Sequence, residues 1–292
     1  MTEKAELIYR KYIKCGLDEN GILHISFIGV DKTFDEKKQK TKPCLSLILM
    51  MELHEFFAEM NKYIEQDKEN IIKEIYLEGF TDANVFAIGA DIKEFAKIIE
   101  SSKDKNTLYK KAMIFSEIGQ TALLEIIVCS KKVTAIINEF ALGGGLELAM
   151  ACHARIAKSN AILGLPETTL GLIPGWGGTQ WWKYIPKIDR GKFIEYIKTG
   201  ATFNAQEALK IGLIDSIIDT ETEIPAAVNP PKPYSKSSAA MIEEIVNTTS
   251  NINTSVDSWL SLEKESFAAA MTSPDGKEGI MAFLEKREPN FN

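Results

Sequence analysis

Between residues 21 and 164 the chain passes repeatedly from short β-type runs to runs with helical spacing, and that alternation leaves few architectures open. "GILHISFIG" (21–29) alternates apolar and polar residues as a half-buried strand does. Residues 46–64 place Leu49, Met50, Leu53, Phe57, Met60 and Ile64 on one face, which predicts an amphipathic helix. "IKEIYLEG" reads as a second strand and residues 107–129 as a long helix. "VTAIIN" (133–138) is short and β-branched, a buried strand. A short helix and a hairpin-like "ARIAKSNAILG" (154–164) follow. Strands that take turns with helices predict an α/β core.

Near residue 220 the pattern changes. "IPAAVNPPKPYSKSS" (224–238) holds four of the ten prolines, which block helix and central strand alike, and reads as a connection. Two helical stretches, "AAMIEEIVNTT" and "VDSWLSLEKESFAAAM", and a final "GKEGIMAFLEKREPNFN" lie beyond it. The expected division is therefore 1–220 and a helical 221–292.

The 292 residues, 45% of them hydrophobic, suffice for a sizeable core. A net charge of −7 argues against nucleic acid as a partner. The charged start "MTEKAELIYRKYIK" lacks the apolar stretch of a secretory signal, and runs such as "LSLILMMEL" are too short to cross a bilayer. The four cysteines lie far apart with no CxxC pair, which suits reduced thiols. The expectation is a soluble cytoplasmic protein with no membrane partner. The charge-dense 31–42 stretch, "DKTFDEKKQKTK", reads first as a solvated loop.

Three consecutive glycines interrupt "FALGGGLELAM" (140–150), where a strand passes into a helix. Glycine there permits unusual backbone angles and close approach of a ligand. The first amides of the helix have no intrahelical partner, so one can point at an oxygen that gains negative charge. Glu147 falls in the first turn of the same helix. A tight turn followed by a favourable N-terminal glutamate explains these residues equally well. "GLPETTLGLIPGWGGTQ" (164–180) carries a second carboxylate, Glu167, twenty residues on. A short helix and a hairpin can return the chain over that length. Two carboxylates converging on an apolar site are an acid–base arrangement, because burial can drive their pKa values apart; a turn residue after Pro166 is the plainer alternative. In "VFAIGADIKEF" (85–95), Gly89-Ala90-Asp91 again joins a strand end to a helix, and the Ala90 amide would be a second free donor, although many such turns look alike.

Other site chemistries find no support. There is no GxSxG elbow, no HExxH or Cys/His cluster among His24, His54 and His153, no GxxxxGK[ST] and no dinucleotide-binding context for "GWGGTQ".

Taken in order, "FAIGADIKEF", "ALGGGLELAMAC", "GLPETTLGLIPGWGGTQ", "TGATFNAQEALKIGLID" and the ending "EGIMAFLEKREPNF" resemble successive signatures of the crotonase (enoyl-CoA hydratase/isomerase) superfamily. The likeness is thin before residue 70 and between 221 and 260. It implies an α/β spiral of ββα repeats over 1–220 with the acyl-CoA site. The helical region 221–292 would then build homotrimers, often paired into hexamers. It implies that the thioester carbonyl lies between the amides of Ala90 and Gly144. Glu147 would deprotonate water for attack at C3, and Glu167 would give a proton to C2. Coenzyme A enters as part of the substrate, with no metal or redox cofactor. Phe86 and Ile88 would lie along the adenine pocket through their backbone, with Ala90, Asp91 and Ile92 also among the CoA-binding residues. Lys42 would meet CoA phosphates, and Phe283 and Lys286 would reach the CoA of a neighbouring subunit. Both glutamates being present favours hydration of a 2-enoyl thioester. The alternatives are a double-bond isomerase, a decarboxylase or C–C hydrolase on a modified acyl-CoA, and an inactive CoA-binding scaffold.

The sequence departs from the family pattern at several positions. Glu139 stands where a glycine is usual, either as a solvated or paired residue or as a third acidic group beside the site. His153 replaces a common aspartate and reads as packed or hydrogen-bonded. Trp181 and Trp182 replace an arginine and an aliphatic residue. The segment between Ala90 and Glu147 is long and would line the acyl pocket.

Overall fold

A computed structural model of the chain describes residues 10–29, 43–218, 232–251 and 255–291. It opens with β1 (Ile13–Leu17) and β2 (Ile22–Phe27), joined by a turn in which the Asp18 carboxylate accepts the amides of Asn20 and Ile22. Helix α1 (Leu47–Gln66) starts at Ser46, whose hydroxyl accepts the Leu49 amide, and it buries the apolar face expected from its spacing. Next come β3 (Glu74–Leu77), α2 (Ile92–Glu100) capped by Asp91, and α3 (Lys105–Ile127) capped by Asp104. The middle of the chain forms β4 (Lys132–Ile137), β5 (Phe140–Leu142), α4 (Gly144–Ala151), β6 (Ala154–Lys158) and β7 (Ile162–Gly164). Then follow α5 (Arg190–Thr199), β8 (Thr202–Asn204), α6 (Ala205–Lys210) and β9 (Ser216–Ile218). The C-terminal part is α7 (Lys236–Asn251), α8 (Val256–Thr272) and α9 (Pro274–Glu285).

Among the described residues the strands form two sheets. The larger has the order β1-β2-β3-β4-β6-β9, antiparallel only between β1 and β2; the smaller is β5-β7-β8. Residues 85–91 extend the smaller layer. Ala87 bonds to Phe140 and Leu142 on one side, while Ile88, Gly89 and Asp91 bond to Pro43 and Leu45 on the other. Each parallel strand of the large sheet thus feeds a short segment in the second layer and then a helix: β3, 85–91, α2; then β4, β5, α4. A third turn runs through β6, β7 and the 3₁₀ turn Glu167–Leu170. This is the expected spiral of ββα units. The second-layer segments all end on the same side of the molecule, and their turns meet there.

The hairpin expected over 154–164 does not form. β6 pairs in parallel with β4 and β9 and has no free edge left, so the chain crosses to the second layer, where β7 pairs with β5 and β8. The 31–42 loop, Lys42 within it and most of the proline-rich connection lie outside the described residues. Beyond residue 232 the helices return to the core. α8 packs along α3, and α9 packs against α2 and the 167–170 turn, so residues from both sides of position 220 build one interior. No described helix is long and apolar enough to cross a membrane.

Candidate active site

Two second-layer turns each deliver one amide to the same place. In the first, the Ile88 and Asp91 amides donate to Pro43 and Leu45, and Gly89 adopts φ 99°, a backbone angle that favours glycine. The Ala90 amide points the other way, and it has no acceptor among the described residues. In the second turn, Gly143 takes φ 51° and ψ −130°, and its carbonyl receives the amides of Leu146 and Glu147. The Gly144 amide is again left without an acceptor among the described residues. The two turns touch: a Cβ on Gly144 would stand 3.5 Å from the Ala90 nitrogen, and one on Gly89 3.6 Å from the Gly144 nitrogen.

The three glycines have separate reasons. Gly143 is required by its backbone angles. A side chain at Gly144 would enter the Trp176 ring, and one at Gly145 would strike the Ala87 carbonyl. The turn therefore carries its free amide against Trp176, with space only for hydrogen.

Glu147, one turn into α4, is 3% exposed. Its Oε1 accepts the amides of Trp176 and Gly178, both at 2.8 Å. Glu167 begins the 3₁₀ turn after Pro166; its Oε2 is sealed from solvent without a partner, and its Oε1 faces Gly143. Both glutamates, Ala90 and Gly144 line one cavity of about 90 Å³. Its walls are otherwise apolar: Ile88, Ile92, Phe95, Phe115, Leu170, Leu172, Ile173, Trp176 and Phe267. Phe115 stacks on Trp176 at 5.3 Å between ring centres and on Phe267 at 5.9 Å, with Phe95 edge-on at 4.7 Å.

That dry setting lifts the carboxyl pKa values. Burial pushes Glu167 up to about 8, with the charge of Glu263 adding to it. Glu147 is raised by burial and then by the charges of Glu167 and Glu263, against the opposing pull of its two amides. Carboxylates so close in low dielectric do not all ionise near neutral pH. Glu147 has amide donors for its charged form, whereas the Oε2 of Glu167 has none. By its donors Glu147 is the better supported as an anion, and the buried carboxyls titrate as a coupled set that keeps protons near neutral pH.

The sequence model of the enoyl-CoA hydratase/isomerase family matches residues 39–292. The chain belongs to that family. It is 39% identical over 223 residues to a probable enoyl-CoA hydratase of Bacillus subtilis, covering 75% of this chain and 81% of that protein. It is 36% identical over 205 residues to a crotonyl-CoA hydratase of Syntrophomonas wolfei, covering 70% and 78%. The crystal structure of an enoyl-CoA hydratase from Bacillus anthracis superposes with a TM-score of 0.57 at 27% identity, over 96% of this chain and 99% of that one.

The residues expected along the CoA of this family member are not gathered in one place. Ile88, Ala90 and Ile92 reach the cavity. Asp91 does not; its carboxylate caps α2 by accepting the Lys93 amide at 3.1 Å. Phe86 is fully buried in the core, its amide donating to Asn138 and its carbonyl accepting from Phe80. Phe283, 54% exposed, and Lys286, with φ 57°, lie at the end of α9, where Phe283 borders a separate groove with Thr169, Lys232 and Arg287. Glu139 makes the β4–β5 turn at φ 46°, an angle that favours glycine, and is not a cavity wall. His153 Nδ1 accepts the Val133 amide at 3.0 Å, as a packed histidine does. Trp181 is buried and donates to the Trp176 carbonyl at 2.7 Å. The long segment before Glu147 supplies Ile92, Phe95 and Phe115 to the wall.

Sequence reasoning missed Glu263 and Phe267, which α8 brings to the site. The signal was present as a charged residue on an apolar stripe: Leu260, Glu263 and Phe267 share the buried face of that helix.

Proposed function

We propose that this site adds water to, or removes it from, a 2-enoyl-CoA thioester. One observation carries the reading: two sheltered glutamates from different elements meet beside two amides that have no acceptor among the described residues. The thioester oxygen lies between the Ala90 and Gly144 amides. Glu147 takes a proton from the water that attacks C3, electrons move onto the thioester oxygen as an enolate, and Glu167 returns a proton to C2. Each oxyanion donor is worth on the order of 2.7–4 kcal/mol of barrier, and each proton transfer about 10²- to 10⁴-fold in rate. The reaction calls on no group beyond the coenzyme A that the substrate carries. The small aromatic-walled cavity and the crotonyl-CoA name of one relative support a short acyl chain. The finer parts of the reading are a cytoplasmic homotrimer or hexamer, the exposed Ile88 edge beside the adenine, Lys42 toward CoA phosphates, and Phe283 and Lys286 against a neighbour's CoA.

The test is loss of the enoyl-thioester absorbance when purified protein meets crotonyl-CoA, repeated with Glu147→Gln and Glu167→Gln. Fast loss that disappears in both variants, with thioester binding retained, is the expected result. Wild-type rates in both variants would overturn the acid–base assignment. An inert wild-type protein that still binds the thioester would move the search to isomerisation and C–C cleavage substrates.

A further inference from the structure

Glu263 lies on α8, away from the reacting atoms, and is fully buried. Its oxygens accept the Gly177 amide at 2.5 Å, the Thr179 amide at 2.9 Å and the Thr179 hydroxyl at 2.5 Å, with the Gln120 side chain of α3 at 3.3 Å. The two intervening or adjoining amides, of Trp176 and Gly178, go to Glu147. Four successive amides are therefore dealt alternately to two carboxylates, only one of which reaches the cavity. A buried carboxylate is costly unless donors surround it. A helix that needed only to pack would carry an apolar residue here, as it does at Leu260 and Phe267.

We propose that Glu263 is a positioning residue of the active site: by holding the amides of Gly177 and Thr179 it turns those of Trp176 and Gly178 onto Glu147, and so fixes Glu147 against the substrate. The proposal rests on the hydratase reading of Glu147. Charge is the second consequence. The ionisable groups that feel Glu263 are Glu147 and Glu167 across the site and Lys183 beyond the loop. Burial pushes Glu263 itself up to about 7, so it is negative only above that pH; there it makes both glutamates hold protons more tightly, and removing it shifts the alkaline limb of the pH profile toward acid.

The experiment uses the full-length protein with Glu263→Gln and the milder Thr179→Val, which removes the hydroxyl that donates to Glu263 and accepts from the Gln180 side chain and leaves both backbone amides in place. In Glu263→Gln, kcat on crotonyl-CoA should fall at least about tenfold, since misplacing a catalytic group by about 1 Å can cost about 10²-fold. KM should stay within about threefold. The alkaline limb of the kcat–pH profile should move toward acid, and amide hydrogen exchange at Trp176 and Gly178 should quicken. Thr179→Val should show the same exchange and rate changes, smaller, and it decides the matter if Glu263→Gln does not fold. Unchanged kcat and exchange would overturn the proposal. So would a lowered kcat with an unmoved alkaline limb and unchanged exchange at 176 and 178, the mark of packing alone. A wild-type protein inert on enoyl-CoA defeats the hydratase reading, while the exchange measurement still decides whether Glu263 holds the loop.

Discussion

The indole of Trp176 lies on Gly144: a Cβ there would stand 2.5 Å from Cζ3 and 2.6 Å from Cε3. On its other flank, a side chain at Gly119 of α3 would enter the same ring. The tryptophan is gripped between a helix and the glycine turn at 143–145 while its amide serves Glu147. One residue thus ties the apolar wall to the free Gly144 amide and to Glu147, the two parts of the proposed chemistry.

Gly144→Ala tests that grip. The added methyl must displace the ring or the turn, at a cost of about 1–3 kcal/mol in stability. The displaced amide should lower kcat about 10²- to 10³-fold. Denaturant midpoints and turnover on crotonyl-CoA check both figures. Gly16→Ala, where nothing lies within 4 Å, is the control and should change neither.

Activity should fall as pH rises through about 8, because burial holds the Glu167 carboxyl protonated up to that point and above it the proton for C2 is gone. At the acid end the rate should fall once the coupled pair of Glu147 and Glu167 is fully protonated and no carboxylate is left to accept a proton from water. A kcat profile between about pH 5 and 10 would show the alkaline limb. An alkaline limb absent until well above 8 would count against Glu167 as the acid.

The same burial makes a prediction for folding. The unfolded glutamate titrates near about 4.3, and the folded Glu167 near 8. Between these values the native state holds a proton that the unfolded chain has released, so stability declines as pH rises across the window. Glu167→Gln abolishes that loss. Its stability should match wild type near pH 4 and exceed it at pH 8 by at least about 1 kcal/mol after allowance for the residue's partial exposure, with a higher melting point to match. Scanning calorimetry at the two pH values reads the difference directly.

What could be read from the sequence was what is local. α1 and β4 announced themselves by spacing and β-branching, and Ala90, Gly144, Glu147 and Glu167 all fall on or beside glycine- or proline-marked turns. β1 escaped notice because "IKCGL" is a five-residue edge strand with a glycine and a lysine, too short to show alternation. The 154–164 hairpin was misjudged because strand propensity does not say which sheet a strand joins; the neighbours of β6 and β7 come from distant residues. Glu263 meets Gly177 across 86 positions, by the packing of α8 on α3, and no local pattern encodes that meeting.

On the proposed function, Trp176 would also set the depth of the acyl pocket. With Phe95, Phe115 and Phe267 it closes a cavity of about 90 Å³, and it is the member whose ring fills the room between Gly119 and Gly144. Trp176→Ala keeps the backbone amide that Glu147 needs and removes the ring. A methylene in an apolar pocket is worth about 1–3 kcal/mol, so each carbon newly accommodated should count. The ratio of kcat/KM for an eight-carbon over a four-carbon enoyl-CoA should rise by at least about tenfold, while turnover of the short substrate drops as its fit loosens. Parallel progress curves with the two thioesters measure the ratio. If both rates fell equally, the ring would be a scaffold for the loop and the chain-length limit would lie with the phenylalanines.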